Sequence, residues 1–227
     1  MDEIFENRRQ FFFKTSSVFK GGIVFCILIG ILTFFVGILS KEHTRVWGSL
    51  LFNLSFFFSL AIGGVAFSHM QDIIGAKWGR PIKRLHESFG AFIPYCVSFY
   101  ILFFIAIKTK FLGAHKIYSW ILDPHILDHF HGKNVWLQED FMIIRNIVCL
   151  FVILFLRNWQ LDKVSQRDFL YLKGEKEKAS NLAISSQESL RYWSAPILVV
   201  YAICFTIIAF DTTMSLAPTW FSTLWGG

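Results

Sequence analysis

Apolar positions in this chain come in long unbroken blocks, and polar positions collect between them; neither the alternation of a half-buried strand nor the one-sided stripe of a surface helix dominates. Runs near the roughly 20 residues that cross a bilayer as a helix occupy Gly21–Leu39, Gly48–Met70, Phe89–Ile107, Phe141–Leu156 and Pro196–Phe210. The fourth is interrupted by Arg145 and Asn146, and the fifth reaches spanning length only by continuing into Asp211, Thr212 and Thr213. The expected architecture is an all-α, multipass transmembrane helical bundle of five helices, at 21–39, 48–70, 89–107, 141–156 and 196–213. A cytoplasmic leader at 1–20 and an outer-side tail at 216–227 flank it.

Composition strengthens this reading: 54% of residues are apolar, 27 are Phe, and the mean hydropathy of +0.49 lies well beyond a soluble domain. Charge then orients the helices, because cytoplasmic loops retain Lys and Arg. With the N-terminus inside, fifteen of the 22 basic residues fall on inner segments, from Arg8 and Arg9 through Lys77, Arg80, Lys83 and Arg84 to the stretch between Arg157 and Arg191. An N-in, C-out topology follows. The net charge of +6 reflects that bias and calls for no nucleic-acid partner. All eight Trp residues fall outside or at the borders of the spans, as expected for rings that prefer the headgroup level. The first apolar run follows a charged leader with no small-x-small cleavage site, which predicts a retained helix. Cys26, Cys96, Cys149 and Cys204 are dispersed with no C-x-x-C pair, indicating neither disulfides nor thiolate metal sites.

Polar groups inside apolar spans carry the functional information, since ionisable residues in a membrane face protein or water. Asn53, Arg145 and Asp211 all lie toward the outer leaflet under this topology, where an Arg–Asp pair would compensate its charge and, with Asn53, line a proton or water path. The competing reading has Arg145 snorkelling to the headgroups and Asp211 capping a helix end. His69 and Asp72, three apart at the inner end of the second span, would supply the inner mouth of such a path or sit at the interface. Ser55, Ser59 and Gly63 recur every four residues, a spacing that lets helices approach closely in lipid. This predicts a bundle-interior helix; the alternative is a groove for a flat ligand such as a quinone head.

Between the spans, the inner segment Trp78–Ser88 places Arg80, Lys83, Arg84 and Glu87 on one helical face, a pattern suited to anionic lipid headgroups. The stretch from Arg157 to Arg191 reads as a solvated connection with helical ends. A haem held by two imidazoles needs histidines facing each other inside the bundle. Only His69 is near a helix, His43 and His86 falling in loops and His115, His125, His129 and His131 in the outer segment. In that segment His125, His129, His131 and Asp128 have spacing compatible with zinc or copper, but the spacing is not specific and a polar loop packing on a partner explains them better.

The end segment Asp211–Thr223, DTTMSLAPTWFST, resembles the D-W-x-M-S-L-x-P-x-W-x-S-T segment of the second quinone-binding-type membrane subunit of alternative complex III. These bacterial quinol:electron acceptor oxidoreductases are related to the polysulfide-reductase membrane subunits. Phe52–Phe67, the W-x-R-P-x-x-R pattern at Trp78, Arg80, Pro81 and Arg84, and the F-x-I-I-R entry at Phe141–Arg145 match in the same order. Departures are Thr212 for the family's Trp, Ala217 for an acidic residue, Thr219 for His and Phe221 for Tyr. That subunit has about ten helices, so the resemblance covers its N-terminal half. A split product completed by a second polypeptide, a shortened sequence and a half-length relative are all compatible.

The resemblance implies a subunit without haem, iron–sulfur cluster or metal of its own, with quinol bound in the complex. Iron–sulfur and multihaem cytochrome subunits and a homologous membrane subunit would be its partners, membrane lipid its surroundings, and the bacterial inner membrane its location. It would scaffold those subunits and conduct protons. No nucleophile–base pair or specific metal set marks the chain as an enzyme by itself. A half-size transporter or channel subunit that oligomerises is the alternative.

Overall fold

A computed structural model describes residues 17–76, 78–127, 132–173 and 176–220. Eight α-helices are defined among them: α1 (Ser17–Leu39), α2 (His43–Ile73), α3 (Arg80–Phe89), α4 (Ile93–Lys108), the short α5 (Ser119–Leu122) and α6 (Lys133–Trp136), α7 (Glu139–Leu172) and α8 (Lys176–Thr212). No strand occurs among the described residues. Helix is what lipid demands, since every backbone polar group must be satisfied within its own segment. Among the described residues four segments are long and apolar enough to cross a membrane: Ser17–Leu39, His43–Ile73, Ile82–Lys108 and Ile184–Leu216. The remaining expected span, 141–156, lies inside α7.

The observed helices outrun the expected spans. α1 begins within the predicted leader, and α3 continues into α4 through a single 3-10 turn at Gly90–Phe92. Pro81 and Pro94 each stand at the second position of a helix, where a missing N–H costs nothing. The largest correction concerns the connection from Arg157 to Arg191. Instead of a loop with helical ends, it is the continuation of α7 and α8, with only 173–175 between them. At 34 and 37 residues these helices run about 50 Å or more at 1.5 Å per residue, well beyond a hydrocarbon core of about 30 Å.

Helices α2, α4, α7 and α8 enclose a core whose largest fully buried side chains include Phe58, Tyr100, Phe103, Phe104, Leu150, Ile153 and Tyr201. α1 stands apart: Ile38 is its one buried residue among those described, and it meets α2 at their outer ends, where Phe34 packs edge-on against Trp47. Hydrogen bonds pin both ends of the bundle. Taking the Lys/Arg-rich end as inner, Arg157 of α7 donates from Nε to the Gly90 carbonyl (2.9 Å) there. At the outer end Lys108 pairs with Asp140.

The outer segment after α4 is also more ordered than a polar loop. It turns through left-handed Lys110, Leu112 and Gly113 into a 3-10 turn (Phe111–Ile117), then α5, a second 3-10 turn (Pro124–Leu127) and α6, burying Ala114, Ile117, Tyr118, Trp120, Leu127 and Leu137. Gly113, at φ +74° with the His43 ring 2.9 Å from where a Cβ would stand, admits no larger residue. This cap accounts for two tryptophans expected at headgroup level. Trp47 and Trp120 are buried in protein, and the Trp47 indole donates to the Leu112 carbonyl (3.1 Å).

The Ser55, Ser59 and Gly63 stripe is not a helix-packing seam: Ser55 meets Tyr100 of α4, but Ser59 and Gly63 are exposed, and nothing lies within 4 Å of a Cβ placed on Gly63. Close approach falls one residue later, at Gly64, where a Cβ would stand 2.7 Å from the Phe89 Cβ. Gly64→Ala should therefore cost about 1–3 kcal/mol by overpacking the α2–α3 crossing. Gly63→Ala should leave stability unchanged. Thermal unfolding of both variants in one detergent checks the contrast, and equal melting would show that this crossing is not tight.

Candidate functional site

Two clusters of buried polar groups sit at opposite ends of the bundle, and the chain's candidate chemistry divides between them.

The outer cluster centres on Asp211, which is completely buried near the end of α8. Its carboxylate takes four hydrogen bonds. Oδ1 accepts from Trp136 Nε1 (2.9 Å) and Arg145 Nη2 (2.7 Å), and Oδ2 accepts from Arg145 Nε (2.9 Å) and Asn146 Nδ2 (2.7 Å). Both lone pairs of each oxygen are thereby occupied. The two-pronged grip is the geometry in which an Arg–carboxylate bond is strongest. Trp136 adds a second contact, its ring lying 3.7 Å from the guanidinium carbon, with Phe141 at 4.6 Å. One residue from α6 and two from α7 therefore meet around one anion on α8. The cap is tied to α8 again by Tyr118, whose buried hydroxyl donates to the Thr212 carbonyl (2.9 Å). Burial above all, with Tyr100 and Asp211 adding, pushes the Tyr118 phenol above its ordinary range and keeps it a donor.

Asn53 does not join this group. It is exposed on α2, donates to its own helix at Ser49 O (2.8 Å), and lines a crevice of about 500 Å³ between α1 and α2. Its place is taken by Asn146. That residue is legible in the sequence as the second half of a polar Arg–Asn pair inside an apolar run. Trp136 and Tyr118 carried no sequence signal, because the cap that brings them to Asp211 is a tertiary feature.

The inner cluster joins α2, α3, α7 and α8. His69 is completely buried, and its Nδ1 lies 2.9 Å from Ser194 Oγ. Ser194 Oγ donates to the Leu190 carbonyl (2.6 Å), so its single hydrogen is committed and His69 Nδ1–H is the donor between them. In the neutral ring Nε2 is then an acceptor. One turn inward on α2, Asp72 pairs with Lys83, which also approaches Glu87 (3.8 Å); Arg84 reaches Glu87 at 3.2 Å. Lys83 consequently points into protein, where the sequence pattern had it facing lipid headgroups. His86, expected in a loop, is in α3 with its ring 4.7 Å from Phe67. Below these groups a pocket of about 250 Å³ is lined by Lys83, Glu87, Lys163, Ser186 and Leu190, among others.

A third feature is a groove of about 600 Å³ between α2 and α8, open to the side of the bundle. Its walls include Ser55, Ser59, Phe205 and Thr212, and at its base Tyr100 shares a hydrogen bond with Ser55 (3.1 Å). Two of the three stripe residues, Ser55 and Ser59, thus stand in the wall of a cleft. Among the described residues no group of three or more His, Cys, Asp or Glu is placed to hold a metal ion. Asp128, His129 and His131 of the outer histidine set, the leader through residue 16 and the tail beyond Trp220 lie outside the described residues. No protein-family model matches the chain, and no curated protein matches it. What is established is an all-α multipass membrane protein in contact with lipid.

Proposed function

We propose that this chain is a cofactor-free integral-membrane subunit of a respiratory quinol:cytochrome c oxidoreductase complex in a bacterial inner membrane, scaffolding its redox subunits. One observation carries the reading. Two of the segments that resemble the alternative complex III subunit, Phe141–Arg145 and the stretch from Asp211, meet through the Arg145–Asp211 bond, whose partners are 66 positions apart. Two of the four matching segments, far apart in the sequence, are therefore neighbours at the outer end of the fold, where an iron–sulfur subunit and a multihaem cytochrome would dock. The groove walled by Ser55 and Ser59 falls within the 300–1,000 Å³ range of small-molecule sites and is where a quinol would lie.

In this reading Asp211 is a fixed anion that holds the outer end shut, with no lone pair left over to relay a proton. Proton conduction, where the complex performs it, would draw on the inner cluster of His69 and Asp72. Purification from the native membrane in mild detergent, with subunit masses and a dithionite-reduced minus oxidised spectrum, tests the proposal. Co-purifying cytochrome and iron–sulfur subunits are expected. A colourless homo-oligomer in several gentle detergents would overturn it in favour of a half-size transporter or channel subunit. The exposed Ser59 and Gly63 ridge, with open space beside Gly63, is the feature that suits such self-association.

A further inference from the structure

Several side-chain atoms at the inner end of the bundle are buried with no hydrogen-bond partner among the described residues: His69 Nε2, Gln160 Nε2, Tyr201 Oη and Asp72 Oδ2. Their residues are all more than nine-tenths buried. Such groups are rare in folded proteins, because each forfeits its hydration for nothing in return. Here they also converge. The His69 and Tyr201 rings lie 5.9 Å apart. Gln160 reaches the imidazole from α7, yet its Nε2 and the His69 Nε2 both stay without a partner. Asp72 lies one turn inward on the same helix as His69.

The hydrogen-bonding characters of the three groups around His69 are complementary to one molecule. His69 Nε2 is an acceptor, since its Nδ1 donates to Ser194; Gln160 Nε2 and the Tyr201 hydroxyl are donors. A water molecule would donate to the first and accept from the other two, within the two to four partners that buried waters usually find. No single side chain at this place satisfies all three. The inner pocket neighbours this group through shared bonding partners. Leu190 lines it, and its carbonyl accepts from the same Ser194 hydroxyl that holds His69. Lys83, which also lines the pocket, bonds to Asp72. On the other side of Tyr201 the interior turns apolar at Ile153, Cys204 and Ile208 before the closed Asp211 node.

We propose that the inner end of the bundle contains a water site bound by His69 Nε2, Gln160 Nε2 and the Tyr201 hydroxyl, filled from the inner face through the Lys83–Glu87 pocket and going no further outward than Tyr201. The site is a property of this chain alone and stands whether or not the redox-complex reading does. Its consequence is one-sided access: water and small polar solutes reach His69 from inside, and nothing reaches it from outside.

Radiolytic hydroxyl-radical labelling of the full chain in lipid nanodiscs, read by mass spectrometry, tests this, since bound water labels the side chains it touches even deep in a protein. Tyr100 is the internal control, 1% exposed like Tyr201 but already bonded to Ser55. Tyr201 should be labelled several-fold faster than Tyr100, and Ser186→Trp, which fills the pocket, should remove most of that excess. Equal labelling of Tyr201 and Tyr100 in the unmodified chain would overturn the water site. An excess at Tyr201 that survives in a folded Ser186→Trp variant would overturn the inner route. Should that variant not fold, oxidation of Tyr201 by hydroxyl radicals generated only inside sealed vesicles, compared with only outside, decides the direction.

Discussion

Asp211→Ala is expected to lower stability by about 3–5 kcal/mol, since removing one partner of a buried ion pair strands the other. Arg145 would lose both prongs of its bond, and Asn146 and the Trp136 indole would lose their acceptor. Arg145 is about one-tenth exposed and can turn partly toward the outer face, which places the effect at the lower end of that range. The sharper test is the pair. Replacing Asp211 with Leu and Arg145 with Met together should recover much of the loss, because two apolar side chains of similar volume strand no charge. Thermal unfolding followed by a thiol-reactive dye reads this directly, since Cys149 and Cys204 are buried in the same core. Asp211→Ala melting like the unmodified protein would remove the ion pair from any structural role. An equally damaged double variant would show that shape or the indole bond, not charge, holds the outer end.

Lys83→Met comes next in size. Lys83 is the cation between Asp72 and Glu87, both almost fully buried at the inner end of the bundle. Without it Asp72 has no cation in contact among the described residues, while Glu87 retains Arg84 at 3.2 Å. The ammonium's side chain is one-fifth exposed, so part of its attraction is screened. A loss of about 3 kcal/mol is expected, the low end for breaking a buried pair. Adding Asp72→Asn to Lys83→Met should restore most of it, because the charge left unpaired is then gone. Unfolding measurements on the single and double variants decide. If Lys83→Met is no less stable than the unmodified chain, these carboxylates are hydrated well enough to need no cation.

How far each site could be read in advance depended on whether its partners announce themselves. Arg145 and Asp211 do, because a charge inside an apolar run has to be compensated, and each run contains one. Asn53 announces itself in the same way and is a false lead: an amide can be satisfied by its own helix, as its bond to Ser49 O shows, and so need not seek a partner. Ser194, Gln160 and Tyr201 give no warning, since polar side chains near a helix's inner end are ordinary, and only packing shows which of them face His69. Lys83 misleads for a related reason. A basic face on an amphipathic helix is the same pattern whether it meets headgroups or buried carboxylates, and the neighbouring helix decides.

The amino-acid sequence by itself determined the class of the protein, an all-α chain of membrane-spanning helices, because hydrocarbon admits few alternatives to long apolar helices and the length of a run is counted along one dimension. It also singled out the charged pair at the outer end. The tertiary structure alone decided that 157–191 is carried almost entirely by two long helices, that the outer segment folds into a cap carrying Trp136 and Tyr118 to Asp211, and that Ser55 and Ser59 wall a groove while Gly64 makes the tight crossing. Each of those outcomes depends on which face of a helix turns toward which neighbour. In lipid both faces of a helix can be equally apolar, so the hydrophobic pattern that identifies a span does not say which way it points.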